Sequence, residues 1–70
     1  MEYVIVKFPE SRTVLIDGEE GGLTGRILLV EKGTHLFQLN DPQDYQPPSN
    51  QQVVANTTFV KPLEVRFEKV

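Results

Sequence analysis

The chain has 70 residues and a mass of 8.0 kDa, with 39% hydrophobic and 24% charged residues, a formal charge of -3 and a pI near 4.9. That size allows one domain, residues 1–70, and a domain so small buries only about 60% of the surface its unfolded chain exposes. With no cysteine it has neither a disulfide nor a thiolate metal site, and its few scattered basic residues do not form the cationic patch that nucleic acid requires.

The first predicted strand is Tyr3 to Phe8, rich in β-branched and aromatic residues and stopped by Pro9, which cannot donate to a ladder. Val4, Val6 and Phe8 fall on one face of it. The second is Thr13 to Asp17, with Val14 and Ile16 on one side; Leu15 interrupts the alternation and predicts burial on both faces. Asp17-Gly18 followed by Gly21-Gly22 predicts a chain reversal, because glycine reaches positive φ without steric cost. A third strand is expected from Thr24 to Glu31, then a second reversal at Glu31-Lys32-Gly33 and a fourth strand from Thr34 to Leu39. Those strands read as a meander.

From Asn40 to Asn50 the sequence NDPQDYQPPSN has three prolines and no aliphatic residue, which predicts a loop. It either crosses between sheets or wraps the rim, with Tyr45 anchored on the core. Gln51 to Asn56 is expected to be a short strand, while Thr57 to Pro62 carries no decisive pattern. In Leu63 to Lys69, Leu63, Val65 and Phe67 alternate with Glu64, Arg66 and Glu68, the strongest period-two signal in the chain. No segment has sustained helical spacing. Six or seven short strands of this kind predict an all-β fold, a small two-sheet antiparallel β-sandwich, since one sheet alone would leave an apolar face wet. The charges Glu64, Arg66, Glu68 and Lys69 are expected to guard the last strand as a sheet edge.

The longest apolar run, Ile27 to Val30, is far short of the roughly 20 residues of a membrane span. With Met1 as the native start, the chain is expected in the cytoplasm; as an excised domain, it is expected to come from a cell-surface parent.

Several elements together resemble the PEGA domain, a small β-sandwich module that recurs in bacterial and archaeal proteins. They are Pro9-Glu10, the V-x-I-D-G of Val14 to Gly18, the G-x-T of Gly22 to Thr24, the G-x-H-x-F of Gly33 to Phe37, and Asp44-Tyr45. The resemblance spans nearly the whole chain. It implies a binding or spacer module without catalysis, often set beside other domains at the cell surface.

Few residues suggest chemistry. Asp17, Glu19 and Glu20 place three carboxylates on one turn and could ligate a hard cation, but their spacing departs from the twelve-residue calcium loop and a solvated turn is the expected reading. His35 has no second imidazole or thiol with which to hold zinc, and no nucleophile motif surrounds it, so a half-buried packing role is expected. Gly18, Gly21 and Gly22 lack the helix and lysine of a phosphate loop. Pro9, Gly18, Gly22 and Gly33 are read as turn residues. Asn56-Thr57-Thr58 matches a glycosylation acceptor but reads as a turn. Tyr45 and Phe59 are the aromatics expected at the surface, where a ring can stack on a sugar.

The expected function is therefore a non-enzymatic interaction or spacer module without a cofactor, binding protein through the loops Asp17 to Gly22 and Asn40 to Asn50 or through an open strand edge. Carbohydrate or cell-wall binding is the alternative. A small enzyme is expected only if His35 lies exposed in a cleft beside a carboxylate.

Overall fold

The computed structural model describes residues 1–70, which form an all-β sandwich of 31 × 21 × 17 Å. Its radius of gyration, 11.0 Å, matches the roughly 11 Å expected of one folded unit of this length. Nine strands run in chain order: β1 (Glu2–Lys7), β2 (Thr13–Ile16), β3 (Glu19–Leu23), β4 (Ile27–Val30), β5 (Gly33–Leu39), β6 (Tyr45–Gln46), β7 (Asn50–Val54), β8 (Leu63–Arg66) and β9 (Glu68–Lys69). One sheet has the order β4-β1-β8 and the other β3-β2-β5-β7, with β6-β9 as a two-stranded ribbon at one end. Every pair is antiparallel except β1 with β8, the first and last long strands, which lie parallel.

The predicted alternation fills the core. Val4, Val6, Leu28, Val30 and Val65 face inward from the three-stranded sheet and Val14, Phe37, Leu39 and Val54 from the four-stranded one, with Tyr45 and Phe67 closing one end. Phe8, Ile16 and Leu63 pack against this cluster. Leu15 lies on the outer face of its sheet and is half-buried there, which explains its break in the pattern.

Three boundaries differ from the sequence reading. The reversal expected across Gly18 to Gly22 is only two residues long: Asp17 and Gly18 have φ of 54° and 86°, the geometry of a tight hairpin turn, and pairing resumes at Glu19 opposite Ile16. The residues after the turn form β3, an edge strand whose register slips by one residue between Val14 and Leu15. Gly22 sits at this irregularity with φ +136°, and a Cβ there would overlap the side chain of Leu28 in the opposite sheet.

The strand expected from Thr24 to Glu31 is split. Thr24 is buried, its hydroxyl donates to Glu10 O at 2.7 Å and accepts from Arg12 N–H at 3.0 Å, and its own N–H donates to Arg12 O. Gly25, with φ +79°, then donates to Val6 O. This corner moves the chain from one sheet to the other, so β4 pairs with β1 while β5 returns to pair with β2. The expected meander is thus a β2–β3 hairpin with its next strand diverted. Likewise the last predicted strand breaks at Phe67, where β8 leaves β1 and β9 pairs with β6.

The segment from Asn40 to Asn50, expected as a loop, wraps the rim, since β5 and β7 are neighbours in one sheet, but it includes β6, which pairs with β9, and the first residue of β7. Thr57 to Pro62 is the connection that crosses to the other sheet, closed by reciprocal backbone hydrogen bonds between Thr58 and Lys61. Pro9 is exposed between β1 and β2, and Gly33 opens β5.

Candidate interaction surfaces

Four features stand out: a cation-centred clasp at each end of the sandwich, an apolar strip on one outer face, and a set of unequal sheet edges.

At the ribbon end, Arg12 is nearly buried, its side chain 10% exposed. Nη1 donates to Asp44 Oδ1 at 2.6 Å, Nη2 to Pro42 O at 2.6 Å and to Asn40 O, and Nε to Asn40 Oδ1 at 3.0 Å. The guanidinium carbon also lies 5.7 Å and 5.9 Å from the ring centres of Phe8 and Tyr45, within cation–π range. Lys69 adds bonds to Glu10 and to the second oxygen of Asp44. Arg12 and then Lys69 hold the Asp44 carboxyl down to about 2. One side chain thus fixes the first half of the rim loop.

Tyr45 is buried, so the ligand-facing role expected of it fails while its anchoring role stands. Its hydroxyl donates to Leu39 O at 2.7 Å, and its ring meets Phe8 and Phe67 edge-on. No face remains open for a sugar.

At the opposite end, His35 lines a shallow open depression of about 290 Å³ between the β2–β3 turn and the β4–β5 connection. Its side chain is 14% exposed. Nδ1 lies 2.6 Å from Asp17 Oδ2 and Nε2 lies 2.6 Å from Glu31 O. Both partners are acceptors, so both ring nitrogens can donate only in the imidazolium form. The Asp17 carboxylate and then the Glu31 carbonyl accordingly raise the His35 pKa above its ordinary value. Asp17 is lowered, first by the Leu36 N–H that donates to Oδ1 and then by His35.

The arrangement puts His35 beside a carboxylate but leaves neither ring nitrogen free, and no hydroxyl or thiol nucleophile lines the depression. Asp17, Glu19 and Glu20 do not converge: Asp17 is committed to His35 and Leu36, while Glu19 and Glu20 are successive exposed strand residues that point to opposite faces. No group of three His, Cys, Asp or Glu side chains is placed to hold a metal ion.

On the outer face of the three-stranded sheet, Tyr3 stands opposite Leu29 and Ile5 opposite Ile27. Phe59 meets the Tyr3 ring edge-on with centres 6.2 Å apart and is 67% exposed; Leu29 is 56% exposed. The connection carrying Phe59 is clipped to β1, because Thr57 Oγ1 accepts from Tyr3 N–H at 2.7 Å and donates to Glu2. At the far end of the same face, Lys7 and Arg66 are cross-strand neighbours, with Arg66 paired to Glu64.

The edges differ in chemistry. β8 carries Glu64 and Arg66, and β3 carries Glu19 and Glu20 beside its register slip. β4 is apolar and lies at the corner shared with β3. β7, with sequence NQQVV, carries no charge and no proline.

Sequence reasoning missed Arg12, the Asp17–His35 pair and the apolar strip. The D-G and G-x-H spacings were visible, but nothing local says that the two meet across β2 and β5. Comparison with family models, curated proteins and solved structures found no match.

Proposed function

We propose that this chain is a non-enzymatic interaction or spacer module of the PEGA-like kind, serving a larger assembly by binding another protein. The observation that carries the reading is the contiguous strip Ile27, Ile5, Leu29, Tyr3 and Phe59 on the outer face of the β4-β1-β8 sheet. A domain this small needs its apolar residues for its core, so Leu29 and Phe59, each more than half exposed and each next to Tyr3, are costly unless covered. The strip joins two aromatic rings to three aliphatic side chains, and aromatic residues are enriched where proteins anchor contacts. The rim loop is a weaker candidate surface, because Arg12 already consumes its polar groups.

A photo-crosslinking amino acid placed at Phe59, with a second at Thr34 on the other sheet as control, tests this in the source cells. An adduct with a protein other than this chain at position 59 and none at 34 is the expected result, and Leu29→Ser is expected to weaken the captured interaction by at least about tenfold. Absence of any adduct at 59, or turnover of a substrate by the purified chain, would remove the reading. Carbohydrate binding rests on the exposed ring of Phe59 alone; a glycan array on which Phe59→Ala abolishes a signal would favour it instead.

A further inference from the structure

We infer that β7 is the surface through which two copies of this chain associate, by antiparallel pairing of Asn50–Val54 with the same segment of a second copy. This adds a partner to the interaction reading through a surface separate from the apolar strip, and it rests on that reading only in treating the domain as one that makes contacts.

A terminal strand presents a row of unpaired N–H and C=O groups, and proteins guard such rows with charges, prolines, bulges or covering segments. β3 and β8 are guarded in this way, and β4 adjoins β3 at the sheet corner. β7 itself carries no charge, no proline and no register slip. Beyond its ladder with β5, no backbone hydrogen bond reaches Asn50–Val54, and the only side-chain bond within the segment joins Gln52 to Asn50. Val53 is 69% exposed on the outer face.

Charge selects a second copy as the occupant. The chain is acidic overall, so most surfaces of two copies repel, yet the β7 edge is neutral. A two-fold axis at Gln52 sets Gln51 opposite the other copy's Val53, and the same contact recurs by symmetry. The product is a continuous sheet in the order β3-β2-β5-β7 followed by its mirror order. At ~4.8 Å per strand spacing the two β3 strands, with Glu19 and Glu20, stand roughly 34 Å apart, far beyond a Debye length of about 8 Å. Joining β7 to β7 thus places the acidic edges as far from each other as the sheets allow.

A contact of five residues per copy belongs to the weak class of interfaces, so the test is sedimentation equilibrium and amide NMR from about 10 μM to 1 mM. The expected result is a reversible dimer, with concentration-dependent shifts confined to Asn50–Val54 and β5. Val53→Lys and, separately, Gln51→Glu are expected to raise the dissociation constant at least about tenfold while the thermal midpoint stays unchanged. Phe59→Ser is expected to leave the dimer intact, so loss of the strip's partner and loss of self-association register on different variants. A monomer over the whole range, or a dimer insensitive to Val53→Lys and Gln51→Glu, or shifts located around Phe59, would overturn the inference.

Discussion

The two ends of the sandwich are held by the same device built from different cations. At one end Arg12 joins the Asp44 carboxylate to the carbonyls of Asn40 and Pro42; at the other His35 joins the Asp17 carboxylate to the carbonyl of Glu31. Both side chains are mostly buried, at 10% and 14% exposure. A guanidinium keeps its charge at every accessible pH, whereas an imidazole gives it up near neutrality. The ribbon end is therefore clasped unconditionally and the acidic end conditionally.

The largest expected effect comes from removing the unconditional clasp. Arg12→Ala leaves both Asn40 oxygens without this donor, and the Pro42 carbonyl and Asp44 carboxylate with only the Asp44 N–H and Lys69 respectively, and should cost about 2–4 kcal/mol in urea unfolding, a large share of the roughly 4–10 kcal/mol typical of a 70-residue domain. Arg12→Lys should recover only part, since an ammonium cannot reproduce the planar fork. Nearby, Thr24→Val removes the clip between Glu10 and Arg12 and is expected to cost about 1–3 kcal/mol by the same measurement.

The conditional clasp should show itself through pH. Because the folded-state pKa of His35 is raised, its contribution is fully present below the unfolded value of 6.5 and lost as pH rises through the folded value. Asp17 is lowered, so its contribution is present above 3.8 and lost as pH falls through its folded value. The thermal midpoint of the native chain should thus fall by a few degrees between about pH 5 and pH 8, and His35→Gln should flatten that slope. An unchanged slope in His35→Gln would break the comparison between the two ends. Asp44, held to about 2, should contribute above 3.8 and hold the ribbon end until strong acid.

The smallest effect is expected at the apolar strip. Phe59→Ser changes an exposed ring and should shift stability by no more than about 0.5 kcal/mol, as measured by urea unfolding. A larger loss would assign Phe59 to the fold rather than to binding.

Much of this was legible beforehand. Val4, Val6, Val14, Val65 and Phe67 announced their faces by period-two alternation, because a strand's inward positions are set by its own pleat. Asp17-Gly18 announced a reversal. What followed it was not legible: EEGGL has little intrinsic strand preference, and it is a strand because β2 offers a ladder and Gly21 and Gly22 accommodate the register slip. Phe59 was rightly placed at the surface. Tyr45 was rightly expected to anchor the rim loop but wrongly offered as a surface ring, because a tyrosine in a proline-rich loop looks exposed until Phe8, Phe67 and Arg12 assemble around it. Arg12 carries no local signature at all, since every hydrogen-bond partner of its guanidinium is 28 or more residues away.

Alternation, turn residues and composition by themselves determined an all-β chain, its inward faces and where its direction changes, all properties of neighbours within a few residues. Tertiary structure alone decided which sheet each strand joined, that the first and last long strands run parallel, and which cation clasps which end. Those outcomes depend on hydrogen-bond and charge partners distant in the chain, and such partners acquire a position only when the two sheets close on a common core.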